Sequence, residues 1–176
     1  ARIANVHRDR VVGLTDAGPL ELTLDPGITT GRVAVGDWVL CAPAQFRVIR
    51  VLHRKTELSR GTEYHTGEKQ LIAANLDTLF ITTSCNADFN PARLERYLAL
   101  AHDAGITPVI VLTKADQTDD AAAYAEQARA LGRDLDVLAV NAKGPDLASH
   151  FARYCGPGQT VALAGSSGVG KTTIAN

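Results

Sequence analysis

With 176 residues, 45% of them hydrophobic and 21% charged, the chain has enough apolar material for one large packed domain or two small ones, which excludes disorder as its default state. No apolar run is long enough to span a bilayer, and the opening residues lack the pattern of a signal peptide. The net charge of −1 hides an asymmetry: residues 1–60 carry +3 and the remainder −4, the mark of two modules with different partners.

The first part reads as short β-strands. Arg2 to Val12, Leu20 to Leu24, Val33 to Leu40 and Phe46 to Leu52 are β-rich runs. Asp16-Ala17-Gly18-Pro19, Asp25-Pro26-Gly27 and Val35-Gly36-Asp37 supply turns between them. Such spacing predicts a small all-β barrel over residues 1–55, with an OB-fold the leading candidate. Its two large aromatics are Trp38 and Phe46, and Trp38 is expected in the core. The polar, charged stretch that follows predicts a linker or loop over residues 56–70.

From residue 71 onward the pattern changes. Asp77 to Thr83, Thr107 to Thr113, Asp136 to Asn141 and Thr160 to Ala164 are apolar runs of the kind buried on both faces of a sheet. Helices are expected over Pro91 to Ala104, after Asn90 as N-cap, and over Asp119 to Leu131, which stops at Gly132. Leu94, Tyr97, Leu98 and Ala101 share one face of the first. Strand alternating with helix predicts an α/β unit with a parallel sheet over residues 71–176. Cys41, Cys85 and Cys155 form no CxxC pair, which speaks against a disulfide framework or a zinc site here and for a reducing cytoplasm. Each is expected to be a small core residue.

The strongest chemical signal is Gly165-Ser166-Ser167-Gly168-Val169-Gly170-Lys171-Thr172, which matches GxxxxGK[ST] between a strand and a helix-compatible stretch. Glycines let the backbone bend so that successive N–H groups face phosphate oxygens. Lys171 would span the β- and γ-phosphates as the residue that stabilises transferred charge, with Thr172 as Mg²⁺ ligand and Thr173 beside it. Thr113-Lys114-Ala115-Asp116 ends the second apolar run and resembles the NKxD guanine-specificity motif. A carboxylate at Asp116 accepts two hydrogen bonds from the guanine N1–H and amino group, a donor pair that adenine lacks. Thr113 stands where Asn is usual, so loss of an amide tether to base and phosphate loop is expected. Asn141-Ala142-Lys143 resembles the SAK loop, whose backbone meets guanine O6. Alone, the tetrapeptide serves equally as a helix cap and the tripeptide as a plain turn. Together, at the carboxyl ends of parallel strands, they define one ligand edge. The base-reading motifs precede the phosphate loop, which is a circular permutation of the ordinary GTPase order.

On these residues the chain resembles the ribosome small-subunit-dependent GTPases of the RsgA/YjeQ family. The likeness extends to Gly36-Asp37-Trp38-Val39, to residues 70–77 (QLIAANLD), to Phe89 to Leu100 and to Gly165 to Asn176. It implies GTP/GDP and Mg²⁺ binding, GTP hydrolysis stimulated by the small ribosomal subunit, rRNA contact by the OB-fold, a role in late maturation of that subunit, and a zinc domain further along. A cytoplasmic monomer with no membrane partner is expected. No DxxG motif occurs in these residues, so the chain is expected to be part of a longer protein and a poor catalyst alone. Two other readings stay open: a P-loop kinase or ATPase, and an RNA-binding module with a vestigial P-loop.

Overall fold

Alternating apolar and polar residues build the first unit, Ala1–Leu76, from short strands. In the computed structural model, which describes residues 1–61 and 69–176, β1 (Arg2–Val6), β2 (Val11–Thr15) and β3 (Gly18–Leu24) form an antiparallel meander. β4 (Val39–Ala42) pairs antiparallel with β5 (Arg47–Val51), and β5 lies parallel to β3, giving the order β1-β2-β3-β5-β4. The gap between β4 and β1 is closed by an Arg2–Trp38 bridge and by hydrogen bonds from Ile3 N–H to the Asp37 carbonyl and from Gly36 N–H to the Ile3 carbonyl, both 2.8 Å. The result is a closed five-stranded barrel, and closure removes exposed edges. Ile3, Val11, Leu22, Val33, Val39 and Val48 fill it, none more than 4% exposed.

Three expectations change here. The run Val33 to Leu40 is not one strand, because Asp37 folds it into a turn. Its buried carboxylate accepts from Ala34 N–H at 2.8 Å and from Arg54 Nε at 2.7 Å. Arg54 also donates to the Arg32 carbonyl and to Glu57, and Asp37 holds its guanidinium still more firmly in the charged form. Trp38 is not in the core: Val39 takes the inward position, and alternation sends Trp38 outward, 49% exposed. Residues 56–70 are not simply a linker. β6 (Glu57–Gly61) pairs antiparallel with β7 (Lys69–Ala74), and the first unit runs on to Leu76. The part of that expected loop over residues 62–68 lies outside the described residues. Gly36 makes the docking of β7 possible: its φ is +91°, and a Cβ there would sit 2.1 Å from the Ala74 carbonyl oxygen.

The second unit, Asp77–Asn176, is α/β. β8 (Thr78–Ser84), β9 (Thr107–Thr113), β10 (Asp136–Ala139) and β11 (Val161–Ala164) form a parallel sheet in the order β10-β9-β8-β11. β8 is buried along its whole length, which explains its unbroken apolar and threonine sequence. α1 (Pro91–Asp103) starts where Asn90 accepts from Arg93 N–H at 3.0 Å, and it packs Leu94, Leu98 and Ala101 against β8 and β9. α2 (Ala121–Arg129) is shorter than the expected helix by a turn's worth of flanking residues. α3 (Leu147–Phe151) has no counterpart in the sequence reading. Its Phe151 meets Phe80 edge-on with ring centroids 4.9 Å apart, and Tyr154 does the same at 5.4 Å. Of the cysteines, Cys85 is buried as expected, Cys41 is half-buried at the edge of the barrel core, and Cys155 is exposed in the turn after α3. No helix among the described residues is long and apolar enough to cross a membrane.

Candidate functional site

All four strands of the second unit run the same way, so their carboxyl ends share one edge. At that edge Ala164 ends β11 and Gly165 opens a loop that lasts until α4 (Lys171–Ala175). Gly165, Gly168 and Gly170 have φ values of +138°, +77° and +95°, a left-handed path that side chains resist. Gly165 is fixed twice over, because a Cβ would sit 2.1 Å from the Thr82 carbonyl oxygen. Val169 is fully buried and plugs the loop from beneath, while Ser167, Gly168, Thr172 and Thr173 face outward and Ser166 is half-buried. Lys171 Nζ donates back to the carbonyls of Gly165, at 2.9 Å, and Ser166, at 2.5 Å. These bonds hold the ammonium across the loop, where its charge is available to an anion.

Thr113, the last residue of β9, is 1% exposed. Its hydroxyl is 2.7 Å from the Val169 carbonyl and 3.2 Å from that of Thr83. The amide expected to be missing here has a substitute on the side of the glycine loop: the threonine hydroxyl ties the end of β9 to Val169. The next residue, Lys114, turns the chain with φ +57°, and Asp116 follows, exposed, in a short 3-10 turn. Ala115 N–H reaches the Val140 carbonyl at 3.3 Å, which links this turn to the end of the neighbouring strand. There Asn141 accepts from Lys143 N–H at 2.9 Å, an Asx-turn that leaves Asn141 and Lys143 exposed and Ala142 half-buried.

The structure thus brings the three sequence segments, 113–116, 141–143 and 165–173, to one edge of one sheet. Sequence reasoning missed the contribution of Thr82, whose carbonyl dictates a glycine at 165. The approach of two backbones has no signal in sequence beyond the glycine itself. Among the described residues no group of three or more His, Cys, Asp and Glu side chains gathers as a metal centre. A hydroxyl such as that of Thr172 is the kind of oxygen ligand that Mg²⁺ takes alongside phosphate oxygens.

The family model described as RsgA GTPase matches residues 51–176. The small ribosomal subunit biogenesis GTPase RsgA of Mesorhizobium japonicum is 61% identical over 175 residues, covering 99% of this chain and 50% of that protein. The protein of the same name from Xanthomonas euvesicatoria is 47% identical over 150 residues, covering 82% of this chain and 40% of its own length. The chain therefore spans about half the length of the curated relatives it matches. Among solved structures, YjeQ from Thermotoga maritima superposes with a TM-score of 0.72 at 21% identity, covering 99% of this chain and 63% of its own. YloQ, described as a circularly permuted GTPase, superposes with a TM-score of 0.63 at 24% identity, covering 98% of this chain and 61% of its own. Both share the fold. By the extent of the family match and the identity of its relatives, the chain belongs to the RsgA GTPase family.

Proposed function

We propose that this chain is the guanine-nucleotide-binding part of a factor that hydrolyses GTP and acts in late maturation of the small ribosomal subunit, with its turnover stimulated by that subunit. The observation that carries the reading is the junction of Thr113 with Val169. It ties a loop with guanine-reading chemistry to a loop with phosphate-binding chemistry in a single rigid edge. The printed name of the relatives points to the small subunit as the partner.

In this reading Asp116 accepts from guanine N1–H and the amino group, and the stem of Lys114 lies along the base. The backbone of Asn141, Ala142 and Lys143 meets O6. The amides of Gly165 to Lys171 surround the phosphates, and Lys171 offsets the charge that develops as the γ-phosphate departs. Thr172 would hold Mg²⁺, which supplies charge neutralisation between phosphate oxygens when bound. Thr173 borders the same site. The barrel of the first unit is read as an OB-fold, supported by its strand order and its closure of β4 on β1. Its positive half-chain charge favours rRNA as its partner. We place the protein in the cytoplasm, as a monomer.

The test is nucleotide preference. Asp116→Asn should weaken GDP binding and favour xanthine nucleotides, because the amide can donate to the xanthine 2-oxo group. A protein that prefers ATP, or whose preference does not move, would contradict the assignment. Turnover of GTP by the full-length protein should rise when small ribosomal subunits are added.

A further inference from the structure

We propose that the outer face of the barrel around Trp38 is a stacking platform for an unpaired RNA base. This rests on the reading of the first unit as an RNA-binding barrel and names the residues that would do the binding.

The observation is a continuous row across four strand segments. Arg2 pairs with Leu14 on one side and bridges Trp38 on the other, and Leu52 N–H donates to the Trp38 carbonyl at 2.8 Å. Two residues along from Trp38, Leu40 pairs with Arg50. Leu14, Trp38, Leu40 and Leu52 are 48%, 49%, 48% and 40% exposed. Singly exposed apolar side chains are ordinary, but a contiguous set marks a binding surface. The Arg2 guanidinium lies 5.5 Å from the centre of the Trp38 ring, so cation and indole form one unit.

The chemistry selects RNA as the occupant. Among the described residues the row carries two arginines and no acid, which complements phosphate. A half-exposed indole offers a π-face that every base can use, and the leucines flank it with a flat apolar rim. A base reaches such a face only when it is unpaired and unstacked, so the ligand is a single-stranded or looped segment rather than a duplex. Arg50 would take an adjoining phosphate, making affinity depend on salt.

Trp38 is the only tryptophan of this chain, so its emission reports on this face alone. The experiment titrates the chain with a short fluorescein-labelled single-stranded RNA of mixed sequence. Anisotropy and tryptophan emission are followed together, with fluorescent GDP binding as a separate check on the second unit. Stacking should quench Trp38 in step with the rise in anisotropy. Trp38→Ala should weaken binding roughly tenfold or more, while Trp38→Phe should keep most of the affinity. Because half of the side chain is buried, the alanine variant is melted beside the parent and assayed below both midpoints; its GDP binding should be unchanged, and Trp38→Phe, which keeps an aromatic ring, controls for lost packing. RNA binding without quenching, and equal in Trp38→Ala, would overturn the platform while leaving RNA binding by the barrel in place. Absence of RNA binding would overturn both. A Trp38 emission shift produced only by ribosomal proteins stripped of RNA would overturn the proposal in favour of a protein contact.

Discussion

Replacing Thr113 by valine removes one hydroxyl and leaves the shape of the side chain nearly unchanged. At 1% exposure no water takes the place of the lost donor. The hydroxyl has a single proton, and the shorter approach, 2.7 Å to the Val169 carbonyl against 3.2 Å to that of Thr83, marks where it goes. Losing a buried donor opposite a carbonyl costs about 1–3 kcal/mol. How that cost is felt depends on what the bond does. If it only stabilises the unit, Thr113→Val melts lower, by about 4–8 °C for each kcal/mol in a domain of this size, with GDP affinity unchanged. If it holds the phosphate loop in its binding shape, the same energy appears as about 5- to 150-fold weaker GDP binding. We expect the second, because Val169 sits between Gly168 and Gly170, where the backbone has least resistance to relaxing. Thr113→Ser keeps the hydroxyl and should restore GDP affinity. Titration with fluorescent GDP, paired with a thermal melt, separates the cases. Equal GDP affinity in parent, Val and Ser proteins would refute the coupling. Equal weakening of Val and Ser would refute it too, because it would assign the effect to side-chain packing.

Two further outcomes concern stability and reactivity. Asp37→Asn leaves the Arg54 guanidinium half-buried with Glu57, itself 44% exposed at the side chain, as its one charged partner among the described residues. Breaking such a pair from one side should cost about 3–5 kcal/mol in denaturant-induced unfolding, and a loss below about 1 kcal/mol would show that the pair is not what holds the turn. In thiol labelling of the native chain near neutral pH, exposed Cys155 should react first. Cys85, whose thiol is pushed above its ordinary pKa by burial, stays protonated and should react only on unfolding; modification of Cys85 ahead of Cys155 would contradict its placement.

The local chemistry of this molecule was legible in its sequence, and the long-range chemistry was not. Asn90-Pro91 announces a helix start because both preferences act within one turn, and the structure has that cap. β9 begins and ends where its apolar run does. The stretch Trp38-Val39-Leu40-Cys41 is different. It is apolar at consecutive positions, so alternation permits either Trp38 and Leu40 or Val39 and Cys41 to face inward. The expectation put the tryptophan inside. The barrel has Val39 buried and Cys41 half-buried instead, packed with Val, Leu and Ile from the other strands. In the same way, Asp37 reads as a turn residue, but its partner Arg54 is 17 residues away. Thr113 reads as a defect in a motif until Val169, 56 residues on, is seen beside it.

The order of motifs along the chain follows from the same geometry. In a parallel sheet every strand delivers its carboxyl end to one edge, so the loops at that edge meet whatever order the chain visits them in. Here the strand that leads into the glycine-rich loop at 165–170 comes fourth of the four in sequence, yet it lies beside β8, the first of them, and β9 follows on the other flank. A hydrogen bond joins the end of β9 to the loop after β11, two strands apart across the end of β8. The hydroxyl of Thr113 spans that interval by touching both the Thr83 and Val169 carbonyls. A permuted chain can keep such a site because the constraint is spatial adjacency at the sheet edge, and adjacency survives a change in where the chain is cut.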